Sequence, residues 1–111
     1  MASKTDILQG TLDLLVLKTL DTLGPLHGYG ITRRIRQVSE DALQLNQGSL
    51  YPALARLEDQ GWIRGRWQTT PQNRRSKVYA LTAAGRNQLN RATEDWRRMS
   101  GLIERVLAGS D

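Results

Sequence analysis

Between Ile7 and Leu23 the apolar positions Leu8, Leu12, Leu15, Val16, Leu20 and Leu23 recur in steps of three and four, the spacing of one helical face. Leu14 and Leu17 add a second apolar strip, and a helix apolar on two sides needs two neighbours. Gly24-Pro25 ends this helix. After Leu26-His27-Gly28, the steps Ile31, Ile35 and Val38 predict a second helix that fades near Ser39, with Arg33, Arg34 and Arg36 directed elsewhere. A third helix is predicted to begin at Gly48-Ser49, where Ser49 caps free backbone N–H groups and Pro52 falls in a first turn that lacks acceptors. Leu50, Leu54 and Leu57 form its core face, and Gly61 stops it.

Trp62 to Trp67 and Lys77 to Leu81 are rich in aromatic and β-branched residues and predict two strands. The polar stretch Gln68 to Ser76 between them makes a hairpin with a loose tip, and Trp62 and Trp67 read as packing of that hairpin on the core. Thr82 then caps a last helix running to about Leu107, in which Leu89, Ala92, Trp96, Met99, Ile103 and Val106 form a heptad seam. The order helix, helix, helix, hairpin, helix predicts a mainly α fold with a small β-hairpin, a winged helix-turn-helix with an added C-terminal helix. One domain is expected over 1–111, with the helix-turn-helix and wing over about 1–81 and a C-terminal dimerisation helix over about 82–108.

A chain of 111 residues buries only about two thirds of the surface its unfolded form exposes, so a partner subunit would add to its stability. The seam, about two and a half heptads long, is marginal as an isolated coiled coil and needs the body of the domain. An interface built from Leu14, Leu17, Leu89, Ala92, Trp96, Met99, Ile103, Val106 and their two-fold mates is therefore expected. Near a two-fold axis Trp96 either fills core or leaves an indole-lined gap that takes a flat aromatic molecule.

Composition narrows the chemistry. Cysteine is absent, which excludes disulfides and thiolate metal sites, and neither a metal nor a cofactor is expected. The longest apolar run, Leu14 to Leu17, is far too short for a membrane span or a signal-peptide core, so a soluble cytoplasmic protein is expected. An enzyme finds little support: His27 is the only histidine, and no glycine-rich phosphate loop follows a strand. Adjacent acids such as Glu58-Asp59 point about 100° apart on a helix and form no dyad.

The charge balance, 16 Lys and Arg against 11 Asp and Glu for a net +5, suits a polyanion. Between Gln60 and Gly85 there are Arg64, Arg66, Arg74, Arg75 and Lys77 and no carboxylate, a self-repelling segment that a phosphate backbone would relieve. It reads as a groove-reaching wing or as a solvated basic loop. On the third helix, Ser49, Tyr51 and Arg56 offer a hydroxyl, a phenol and a guanidinium opposite the leucines. In the alternative reading Tyr51 packs on the hairpin and Arg56 pairs with Glu58, Asp59 or Asp41.

Gly48-Ser49-Leu50-Tyr51-Pro52-Ala53-Leu54, followed by Arg56-Leu57-Glu58 and Gly61-Trp62-Ile63, resembles the signature of the PadR family of bacterial transcriptional regulators. His27-Gly28-Tyr29-Gly30-Ile31 resembles the family's second-helix motif, and Tyr79-Ala80-Leu81-Thr82-Ala83-Ala84-Gly85 its junction between wing and last helix. By length the resemblance is to the short subfamily. It implies a homodimeric repressor that binds a near-palindromic double-stranded DNA operator, with recognition positions at Gly48, Ser49, Tyr51 and Pro52 and basic wing positions at Arg74, Arg75 and Lys77. In some short regulators of this family a drug or phenolic compound binds at the dimer interface, and the resemblance thereby raises a small aromatic effector near Trp96. A winged-helix module that binds protein or RNA is the alternative, because the fold alone does not fix the ligand.

Overall fold

The computed structural model describes residues 5–6 and 9–109, so Ile7 and Leu8 of the first apolar stripe lie outside the described residues. In chain order the elements are β1 (Thr5–Asp6), α1 (Gln9–Leu23), β2 (Leu26–His27), α2 (Gly28–Val38), β3 (Leu43–Gln44), α3 (Gln47–Asp59), β4 (Ile63–Thr69), β5 (Arg75–Leu81) and α4 (Ala83–Leu107). Strand β1 pairs in parallel with β3, and the second sheet has the order β2-β5-β4, antiparallel throughout.

Leu12, Val16 and Leu20 share one stripe of α1, and Leu17 lies beside it; all are buried. The two-sided helix finds its neighbours within its own chain, packing against α2, α3, α4 and β5. Leu17, expected at a subunit interface, is thereby corrected to core: it is 1% exposed and has no surface left for a partner. Leu14 is half-buried against the same core. Ile31 and Ile35 of α2, Leu50, Ala53, Leu54 and Leu57 of α3, Ile63, Tyr79 and Leu89 complete the cluster. Each such large apolar side chain contributes about 1.5–3 kcal/mol by leaving water. Val38, predicted on the inner face of α2, is exposed because the helix ends there.

Helix ends are set by local chemistry. Gly24 (φ 80) returns its N–H to the Leu20 carbonyl at 3.0 Å and closes α1. Two residues later Leu26 and His27 add a short strand to the sheet, an element the sequence pattern does not predict. His27 then caps α2, its Nδ1 accepting the Gly30 N–H. The cap of α3 is Asn46 and not Ser49: Asn46 Oδ1 accepts the Ser49 N–H at 2.8 Å. With the start moved back to Gln47, Pro52 falls in the second turn, where it has no N–H to return to the Gly48 carbonyl. At the other end, Gly61 (φ 77) and Trp62 return their N–H groups to Glu58 and Leu57, the paired bonds of a Schellman turn.

The hairpin is longer and tighter than the sequence indicated. Register runs from Ile63↔Leu81 to Thr69↔Arg75, and the tip is closed by Thr70 N–H to the Arg74 carbonyl at 2.7 Å. Thr82 caps α4 as predicted, accepting the Gly85 N–H, and also donates to the Gly61 carbonyl. Gly85 sits so close to Trp62 that a Cβ would run into the Trp62 carbonyl. Beyond Leu89 the last helix leaves the body, which accounts for overall extents of 61 × 37 × 21 Å. Among the described residues no helix is long and apolar enough to cross a membrane.

Candidate nucleic-acid interface

Because Leu50, Ala53, Leu54 and Leu57 take the inner face of α3, its first two turns present Gly48, Ser49, Tyr51 and Pro52 to solvent. Asn46 does the capping, so the Ser49 hydroxyl is free of that duty. Tyr51 is half-exposed and leans over the start of α2, where a side chain on Gly28 would press on its phenol and ring. The glycine of the second-helix motif therefore makes room for the tyrosine of the third.

The wing faces the same space. In its register Gly65 opposes Tyr79, Trp67 opposes Lys77 and Thr69 opposes Arg75, so these six share one face. Arg75 lies over the Trp67 ring at 4.7 Å from its centroid, and Lys77 Nζ lies 5.8 Å from Trp67 and 5.4 Å from Tyr79. Trp67 is thus corrected from core packing to surface, since the sheet has run past the helices by that point; Trp62 is the tryptophan that packs on the core. Between α3, the start of α2 and the wing lies a cleft of about 540 Å³, lined by His27, Tyr29, Tyr51, Trp67, Arg75 and Lys77 among others.

The predicted cations are not equivalent. Arg74 is exposed at the hairpin tip, and Arg75 is exposed above the cleft. Lys77 is tied to Glu58, its Nζ 3.0 Å from Oε1, while Glu58 Oε2 accepts the Gly65 N–H at 3.3 Å. That hydrogen bond with Glu58 raises the Lys77 pKa above its ordinary value; Tyr79 is also pushed up, chiefly by burial. Arg56 is corrected: its Nη2 lies 2.9 Å from Asp13 Oδ1 of α1. It faces the body of the domain and none of the three acids weighed from sequence, for Asp41 pairs with Arg36 and Glu58 with Lys77. Arg64 and Arg66 lie on the opposite face of the hairpin, with Gln68, Val78 and Ala80.

The residues expected at a subunit interface divide in two. Leu89, like Leu17, belongs to the protomer core, and Leu14 and Ala92 are half-buried. Trp96, Met99, Ile103 and Val106 are exposed along α4, joined by Leu102 and Leu107, which the seam did not include. A groove of about 610 Å³ between α1 and α4 is lined by Leu14, Leu89 and Trp96, with Lys18, Glu94 and Arg97 at its edge.

His27, Tyr29 and Trp67 line the cleft, although the sequence reading places none of them among the DNA-binding residues. The glycine-flanked aromatic in His27-Gly28-Tyr29 was the available signal for the first two. For Trp67 the signal was its place in a strand otherwise carrying arginines.

Three helices followed by an antiparallel wing, with an exposed third helix beside it, define a winged helix-turn-helix DNA-binding fold. A transcriptional regulator from Clostridium thermocellum has the same fold, with a TM-score of 0.81 and 27% identity over 87% of this chain and 93% of that one. The profile of the transcriptional regulator PadR-like family matches residues 16–91, and the chain belongs to that family. It is 36% identical over 84 residues to the transcriptional regulator Rv3488 of Mycobacterium tuberculosis, covering 76% of this chain and 72% of that one. It is also 42% identical over 80 residues to an uncharacterised 37.1 kDa transposon protein of Streptomyces fradiae, but those residues, 72% of this chain, span only 21% of that protein.

Proposed function

We propose that this chain is a cytoplasmic homodimeric repressor that occupies a near-palindromic operator with two copies of α3 and two wings. The observation that carries the reading is the shared cleft, in which Tyr51 of the third helix faces Trp67 and Arg75 of the wing. Tyr51, Ser49 and Gly48 would meet base edges, while Arg74, Arg75 and Lys77 would meet phosphates and fix the register. The apolar stretch from Trp96 to Leu107 supports pairing through α4, because six large exposed apolar side chains on one projecting helix form a patch that a monomer rarely leaves in water. A small aromatic effector would lie against Trp96, whose indole is open at the α1–α4 groove.

The test is binding to a duplex of the chain's own promoter region, a scrambled duplex and a structured RNA at two salt concentrations. A strong preference for the promoter duplex supports operator reading. Equal affinity for duplex and RNA would overturn it in favour of an RNA-binding or interaction module.

A further inference from the structure

Trp67 is 59% exposed, so burial does not hold its indole in place. What its ring does carry is charge. Arg75 stands over it at 4.7 Å, and Lys77 approaches the same ring from the facing strand at 5.8 Å. Lys77 also has Glu58 as a partner, whereas among the described residues Arg75 makes no ion pair. The indole face is therefore the contact that orders the Arg75 guanidinium, which without it would swing freely on a long stem.

The place where this ordering happens matters. A wing enters a groove next to the one that a recognition helix enters, so one sugar–phosphate strand of the duplex passes between the two. In this fold the space between them is the cleft walled by Tyr51 on one side and by Trp67 and Arg75 on the other. We infer that Trp67 is a positioning residue for DNA binding, holding Arg75 over the cleft that one sugar–phosphate strand occupies between α3 and the wing. The inference rests on the operator-binding reading and assigns Trp67 a role that acts on the backbone of any sequence.

Anisotropy titrations of a promoter duplex and a scrambled duplex, with Trp67→Ala, Trp67→Leu, Trp67→Phe, Arg75→Ala and the double variant Trp67→Ala/Arg75→Ala, test it. Losing an exposed cation–π platform should weaken binding by about two- to fivefold, equally for both duplexes, in the alanine and leucine variants. Phe restores most of the loss because it keeps a ring face, and the double variant binds no more weakly than Arg75→Ala alone. Leucine supplies apolar bulk without that face, so wild-type affinity in Trp67→Leu would overturn the inference, as would losses that multiply in the double variant. Wild-type protein that binds neither duplex would remove the operator reading itself, and this inference with it.

Discussion

Glu58 and Lys77 lie 3.0 Å apart, and because the same carboxylate also accepts the Gly65 N–H, one side chain near the end of α3 grips both strands of the wing. The angle between helix and hairpin is thereby fixed at their base. Glu58→Gln would release the Lys77 ammonium and loosen that angle. Binding to scrambled duplex should then strengthen, because Lys77 no longer divides its charge between Glu58 and a phosphate, while discrimination for the operator falls. Unchanged discrimination would mean that the grip does not set the reading geometry.

Much of this arrangement can be read in the chain. The leucine spacing of α3, the stop at Gly61 and the cap at Thr82 are local features whose periods or turn chemistry span few residues, and the fold follows from their order. Other features resist such reading for physical reasons. Strand β2 is two residues long, too short to show any alternation. Asn46 and Ser49 are equally good capping types three residues apart, so only geometry chooses between them. Helical spacing shows that Leu17 faces something apolar, but not whether that neighbour is its own chain. Arg56 finds Asp13 across 43 residues of sequence, a pairing that depends on how α1 and α3 pack.

The corrected cap makes a paired prediction. Asn46→Ala should cost about 1 kcal/mol of stability in denaturant unfolding, since the Ser49 N–H loses its side-chain acceptor. Ser49→Ala should leave stability within about 0.5 kcal/mol and weaken operator binding instead. The reverse pattern would restore Ser49 to the cap.

Tyr51 and Arg74 should separate reading from holding. Tyr51→Ala is expected to reduce the operator-to-scrambled ratio by about tenfold or more, the cost of losing one good base contact. Arg74→Ala should weaken both duplexes alike and lower the salt slope by about 0.9. Footprinting and titration at several salt concentrations distinguish the two behaviours.

Ile103 is half-exposed on the projecting part of α4. Placing a carboxylate there, as in Ile103→Glu, should shift the proposed dimer to monomer at micromolar concentration without unfolding the protein, because the position contributes nothing to the protomer core. Sedimentation velocity alongside circular dichroism reads both. A dimer that survives the substitution would move the interface elsewhere.

Gly85→Ala is expected to destabilise the protein by about 1–3 kcal/mol, since the added methyl must displace the Trp62 carbonyl from the first turn of α4. A thermal midpoint equal to wild type would show that this junction yields.

The Trp62 backbone is where these parts meet: its N–H closes α3, its carbonyl receives the Thr82 N–H, and the first turn of α4 rests against it. The element proposed to read DNA, the element proposed to straddle it and the element proposed to join two copies are thus geared through a single residue. In such a pair, lengthening the chain by one residue at this point would alter the preferred distance between half-sites while leaving each half-site as attractive as before. The spacing of the operator would, in that sense, be written into one turn of the protein.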